Sequence, residues 1–243
     1  MTAPAALRGR RSDQRSRREL EVLAAEAARR LADADAVEVV AWAAEAFGDR
    51  LVVASSMEHG VLAHLVAQEL PGVDVLFLDT GYHFAETIGT RDALEATLPV
   101  TVLDVRPRLT VAEQDRRHGT ALHTTDPDAC CRLRKVEPLA EQLDGYEAWV
   151  TGLRREESPL RADTPVVQWD ERHGLVKVNP LADWTLDDLI SYAAVHDVVV
   201  NPLLAEGYPS IGCAPCTRRV VAGEDPRSGR WAGIAKTECG IHR

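Results

Sequence analysis

Residues 51–81 read Leu51-Val-Val-Ala-Ser55-Ser-Met-Glu-His-Gly60-Val-Leu-Ala-His-Leu-Val-Ala-Gln-Glu-Leu70-Pro-Gly-Val73-Asp-Val-Leu-Phe-Leu78-Asp-Thr-Gly81. Leu51 to Ala54 is a short apolar run with two valines, the pattern of a buried strand, and Val73 to Leu78 is a second one. Between them lie a polar turn, Ser55 to Gly60, and a helical stretch, Val61 to Leu70, stopped by Pro71-Gly72. Strand, turn, helix and strand make one parallel crossover unit. The same alternation continues outward. His83 to Leu98 is helical and Val100 to Val105 is a third strand. Glu147 to Val150 is a fourth, and Val166 to Trp169 pairs with Leu175 to Val178 around Glu171-Arg-His-Gly. A helix spans Thr185 to His196, Val198 to Val200 follows it, and two helices, Glu19 to Leu31 and Ala34 to Phe47, precede the first strand. The pattern weakens between Arg108 and Ala129. The expected class is α/β, a doubly wound and mainly parallel sheet.

Ligands of such sheets sit beyond the carboxyl ends of the strands. That rule selects Ser55 and Ser56 after the first strand and Asp79-Thr80-Gly81 after the second. The serine hydroxyls and turn amides could receive an anion, or serve as helix caps. Arg154, Arg155 and Arg161 follow the fourth strand, and their guanidinium forks suit phosphate or sulfate oxygens. Salt bridges to Glu156, Glu157 or Asp163 are the competing reading.

The 243 residues suffice for one compact domain with a sizeable core. A net charge of −10 argues against a general nucleic-acid binder, and no run of about eighteen apolar residues suggests a membrane span. Residues Arg8 to Arg18 carry six arginines against Asp13 alone. The expected organisation is a solvated, disordered basic tail over 1–18, a single domain over 19–225, and a mobile C-terminal tail over 226–243.

The five cysteines fall into a scheme. Cys130-Cys131 and the Cys213-Ala-Pro-Cys216 turn together make four thiolate ligands for a metal or iron–sulfur centre, and Cys239 is left over as a candidate nucleophile near the terminus. Spacing leaves zinc and iron equally open. Free thiols without a secretory signal point to a reducing compartment, the cytoplasm. Lys135, close to the first pair, could bridge a negative centre and an anionic substrate.

Six stretches carry a resemblance. They are Leu78-Asp-Thr-Gly-Tyr-His-Phe-Ala-Glu-Thr87, Cys130-Cys-Arg-Leu-Arg-Lys-Val-Glu-Pro-Leu139, Thr151-Gly-Leu-Arg-Arg155, Lys177-Val-Asn-Pro-Leu-Ala-Asp-Trp184, Gly212-Cys-Ala-Pro-Cys-Thr217 and Lys236-Thr-Glu-Cys-Gly-Ile-His242. From about residue 50 to its end the chain resembles the assimilatory sulfonucleotide reductases, specifically the iron–sulfur adenylylsulfate (APS) reductases. The resemblance implies an adenine-nucleotide α-hydrolase-like fold and a [4Fe–4S] cluster on Cys130, Cys131, Cys213 and Cys216. It implies Cys239 as nucleophile, Lys135 near cluster and substrate, and, by a looser match, Arg227 and Arg230 on the substrate. The implied reaction reduces APS to sulfite and AMP through an enzyme S-sulfocysteine, with thioredoxin or a similar dithiol protein as reductant. A cation beside a cysteine favours its thiolate, and His242 and Arg243 stand in the same tail.

ATP pyrophosphatases of that fold carry Ser-Gly-Gly-x-Asp-Ser where this chain has Ser55-Ser-Met-Glu-His-Gly60, which disfavours ATP cleavage. Cluster-free phosphoadenylylsulfate (PAPS) reductases lack the two cysteine pairs, which favours APS. A zinc-stabilised nucleotide-binding module without turnover is the more distant alternative. Self-association into a homo-oligomer is compatible with all three.

Overall fold

The computed structural model describes residues 14–221, 223–234 and 236–242. Helix α1 (Arg17–Arg30) starts two residues before the expected Glu19. Ser16 caps it and Glu19 reaches back to the cap, which satisfies amides the helix leaves open. The rest of the expected basic tail, residues 1–13, lies outside the described residues. Helix α2 (Ala36–Phe47) is capped by Asp35 and ends where Gly48 takes a φ of 51°.

The expected strands form: β1 (Leu51–Ser55), β2 (Val73–Leu78) and β3 (Val100–Val105), with α3 (Val61–Glu69) and α4 (Ala85–Thr97) as crossovers. Helix α5 (Val111–His118) falls in the stretch that carried no clear pattern, and a Thr110–Glu113 capping box sets its start. A short turn, α6 (Leu122–Thr125), leads to α7 (Pro127–Cys131), a π-helical turn over Arg132–Val136, and α8 (Glu137–Leu143). Then come β4 (Ala148–Thr151), β5 (Val167–Asp170), β6 (Leu175–Val178) and α9 (Leu186–Val195). Glu147, expected in the fourth strand, precedes β4. Its buried carboxylate pairs with Arg15 and Arg50, both at 3.2 Å.

Among the described residues the sheet order is β3-β2-β1-β4-β6-β5. All neighbours are parallel except β5 with β6. The chain runs outward through β1, β2 and β3, then returns to the other side of β1 with β4. That reversal opens a crevice at the carboxyl ends of β1 and β4. Register aligns those ends: Ser55 lies beside Phe77, and Ala54 beside Thr151. One face of the sheet packs on α1–α4 and α9, and the other on Leu139 and Leu143 of α8. Covered faces explain why the central strands read as unbroken apolar runs. Among the described residues no helix is long and apolar enough to cross a membrane.

Candidate active site

Two cavities share a wall at the carboxyl edge of the sheet. The smaller is lined by Cys130, Cys131, Cys213 and Cys216, together with Tyr82, His123, Arg134 and Lys135. Asp126 caps α7 by accepting from the Ala129 amide at 2.9 Å, which delivers the vicinal cysteines at the helix end. The π-helical turn then carries Arg134 inward. Its guanidinium donates to the Thr80 carbonyl and to Gln114 Oε1 (3.0 Å), with Cζ 5.2 Å from the Tyr82 ring centre. The second pair arrives on a tight turn in which the Cys216 amide donates to the Cys213 carbonyl at 2.9 Å. The Ala214 amide reaches the Tyr82 carbonyl at 2.7 Å.

Burial pushes the Cys130 thiol up to about 11 and Cys131 up to about 12. Such thiols are poor nucleophiles, whereas a coordinated metal deprotonates a thiol outright. The four thiols stand round the walls of a cavity. That donor set suits a centre of several iron atoms, each taking one thiolate.

The larger cavity is the crevice itself, a cleft of about 190 Å3. Ser55, Ser56, Lys135, Arg154, Arg161, Arg227, Arg230, Cys239 and His242 all line it. Lys135 therefore borders both cavities. Burial opposes its charge, but the neighbouring Cys213 and Cys239 sulfurs outweigh this and hold the ammonium above its usual range. Neither serine caps α3, whose cap is Gly60. The Ser55 hydroxyl instead accepts from the Met57 amide at 3.2 Å. A side chain at Gly60 would press on Val198 and Val199 at 3.0–3.1 Å, so glycine lets the turn close against that segment without displacing them. Gly212 has the same kind of reason: a Cβ there would collide with the Arg230 guanidinium, which donates to Ser210 Oγ (3.3 Å) and the Ile211 carbonyl (3.2 Å). Arg230 Nε is buried and unpartnered.

The tail crosses the cleft mouth. Arg161 grips Glu238 with Nε to Oε1 at 2.9 Å and Nη2 to Oε2 at 2.8 Å, while its Nη1 holds Glu157 at 2.5 Å. Arg172 donates to the Gly240 carbonyl at 2.7 Å, and Ile241 packs on the core beneath α8. His242 stacks on Trp149 with ring centres 5.6 Å apart. Charge-assisted hydrogen bonds contribute about 1.5–3 kcal/mol each before desolvation, against roughly 0.5–1.5 kcal/mol for an aromatic stack. The Arg161–Glu238 pair is a two-pronged, charge-assisted tie, and the Lys236 ammonium adds a further ion pair, to Asp128. Glu238, Cys239, Ile241 and His242 of the tail thus form part of the cleft wall.

Two expectations need correction. Arg155 does not line the cleft: it opens a short 3-10 turn and reaches the Thr164 carbonyl (3.0 Å) and Asp183 instead. His242 is no cation beside Cys239. Its burial next to Lys177 and Arg161 pushes the imidazole well below its usual range, so it is neutral. Arg243 lies outside the described residues. Arg154 lines the cleft, and its guanidinium is paired with Glu156, the salt-bridge reading.

Sequence reasoning assigned no role to four cleft residues. Burial pushes the Glu58 carboxyl up, and it accepts from the Ile211 amide at 3.0 Å. Burial pulls His59 down to about 4. His83 Nε2 lies 2.8 Å from the Leu78 carbonyl, and Trp231 sits beneath Arg230 at 4.6 Å. Glu58, His59 and His83 stand inside recognisable motifs and Trp231 follows Arg230, but only the folded chain turns them to the cleft.

Residues 50–219 match the phosphoadenosine phosphosulfate reductase domain family. The chain is 61% identical over 230 residues to adenosine 5′-phosphosulfate reductase of Streptomyces coelicolor, covering 95% of this chain and 98% of that protein. With the enzyme of the same name from Mycolicibacterium smegmatis it shares 58% over 224 residues, or 92% and 95% of the two chains. Phosphoadenylyl-sulfate reductase from Candida auris superposes with a TM-score of 0.67 at 26% identity, over 81% of this chain and 96% of that one. FMN adenylyltransferase of Candida glabrata superposes at 0.54 with 12% identity, over 87% and 78%, a likeness of fold alone that agrees with the adenine-nucleotide α-hydrolase-like architecture. The chain belongs to the phosphoadenosine phosphosulfate reductase family, alongside the bacterial adenosine 5′-phosphosulfate reductases.

Proposed function

We propose that this protein reduces adenosine 5′-phosphosulfate to sulfite and AMP in the assimilation of sulfate. The observation that carries the reading is the position of Lys135, which borders the cleft holding Cys239 and the cavity ringed by four thiols. Relatives at 58–61% identity bear the name of that activity.

The Cys239 thiolate attacks the sulfur of the phosphosulfate. The bond from that sulfur to the bridging oxygen breaks, AMP leaves with the electron pair, and Cys239 retains an SO3 group as S-sulfocysteine. Arg161, Arg227, Arg230 and Lys135 bind the anion and spread the charge displaced onto the leaving phosphate. A thiolate of an external dithiol protein, thioredoxin or one like it, then attacks Cys239 Sγ and expels sulfite. Its second thiol resolves the mixed disulfide, so the dithiol supplies both electrons. Cys130, Cys131, Cys213 and Cys216 would hold a [4Fe–4S] cluster, which when bound adds fixed negative charge behind Lys135 and ties the cysteine pairs together. The reaction belongs in the cytoplasm, where thiols stay reduced, and calls for a tail that opens to admit nucleotide and reductant.

Anaerobically purified protein, supplied with thioredoxin, tests the reading. Equal yields of sulfite and AMP from APS, with iron rather than zinc in the protein, are expected. A higher kcat/KM for the 3′-phosphorylated nucleotide would make it a PAPS reductase, and zinc without turnover would leave only a nucleotide-binding module.

A further inference from the structure

Glu238 is the one acidic residue in 236–242, and it directly precedes Cys239. Its side chain is nearly buried, and both carboxylate oxygens are engaged by Arg161 in the two-pronged geometry that a guanidinium also offers to sulfate or phosphate. Arg227 adds a third contact, Nη2 to Oε1 at 3.5 Å. Burial alone would favour the neutral acid, yet the hydrogen bonds from Arg161 outweigh that and hold the carboxyl below its usual range. Both arginines line the cleft with Lys135 and Arg230. The tail thus places a carboxylate on two of the cations that an anionic substrate would need.

We propose that Glu238 is an internal anion that keeps the tail closed by occupying part of the substrate-anion site, so that Glu238 and the anionic end of the substrate compete for Arg161 and Arg227. The proposal rests on the reading of the cleft as a site for a sulfonated nucleotide. A phosphosulfate carries more charge than one carboxylate and has oxygens for all four cations, so its arrival displaces Glu238 and frees the neighbouring Cys239 to move. Arg227 also donates to the Thr237 carbonyl at 3.2 Å, a tie that the exchange loosens together with Glu238, whereas the ties at Gly240, Ile241 and His242 involve neither arginine. The device couples release of the nucleophile to arrival of its anion.

The rate at which iodoacetamide alkylates Cys239 in the holoprotein, mapped by peptide mass spectrometry, tests the latch without any nucleotide. Inorganic sulfate is titrated at constant ionic strength set with chloride. Glu238→Gln should raise the rate roughly tenfold, the scale expected for losing a charge-assisted contact. Sulfate should accelerate the wild type saturably towards that rate and leave Glu238→Gln unchanged. Wild-type labelling of Glu238→Gln, or a wild type indifferent to sulfate, overturns the proposal. A second readout uses APS binding by calorimetry in a Cys239→Ser background. Adding Glu238→Gln should tighten binding several-fold, where a merely structural residue would leave it unchanged or weaken it, and either of those results counts against the latch. Sulfate-sensitive labelling in a protein that binds no APS would uphold the latch while removing APS as substrate.

Discussion

Thr80 Oγ1 lies 3.3 Å from Cys213 Sγ, with both residues buried. The contact joins the carboxyl end of β2 to the Cys213–Cys216 turn, and the 2.7 Å bond from the Ala214 amide to the Tyr82 carbonyl runs beside it. Hydrogen bonds to ligand sulfurs tune and protect iron–sulfur centres. Thr80→Val removes the hydroxyl while keeping the shape, at a cost of about 0.5–1.5 kcal/mol. It should leave the fold intact and shorten the lifetime of bound iron in air. An iron-loss rate equal to wild type would show that this hydroxyl does not act on a ligand.

Replacement of Cys130, Cys131, Cys213 or Cys216 by Ser should lower iron content and activity together, because a serine hydroxyl rarely replaces a thiolate on iron. Cys239→Ser should keep its iron and lose turnover. Iron analysis beside an activity assay separates the groups, and full iron occupancy in Cys131→Ser would remove that residue from the ligand set.

Lys135→Ala should act on turnover more than on folding. A cation deleted from an anion-stabilising site removes about 2–4 kcal/mol of transition-state stabilisation, so kcat/KM should fall on the order of 30- to 1,000-fold. An unchanged kcat/KM would show that the Lys135 ammonium does not act on the transition state.

His59 supplies a pH signature. Burial lowers it from 6.5 to about 4, so the unfolded chain binds its proton first as pH falls. The stability associated with a neutral His59 is complete above pH 6.5 and is lost between 6.5 and about 4, amounting to about 3 kcal/mol. His59→Gln should therefore show a shallower loss of stability across that window in denaturant titrations. Parallel pH profiles for the two proteins would contradict the assignment.

The crossover unit was legible because Leu51–Ala54 and Val73–Leu78 are covered on both faces and so read as apolar runs. The meeting of the two cysteine pairs round one cavity was legible because cysteine is scarce. Helix α5 was not, since its one buried residue is Gln114 and its apolar periodicity is faint, although the Thr110–Glu113 box marked its start. The neutrality of His242 depends on Trp149, Lys177 and Arg161, all more than sixty residues away. The difference between Arg154 and Arg155 depends on the short 3-10 turn that Arg155 opens. The Arg161–Glu238 grip spans 77 positions, and no local pattern announces it.

The central claim is that Cys239, and no other thiol, receives the SO3 group. Mixing the holoprotein with one equivalent of APS and no reductant, followed by peptide mass spectrometry, measures it directly. The account predicts a single SO3 adduct on the peptide containing Cys239, one equivalent of AMP, no free sulfite until thioredoxin is added, and no adduct in iron-replete Cys239→Ser. Sulfite released over many turnovers without a thiol, or an adduct on any of the other four cysteines, would contradict it.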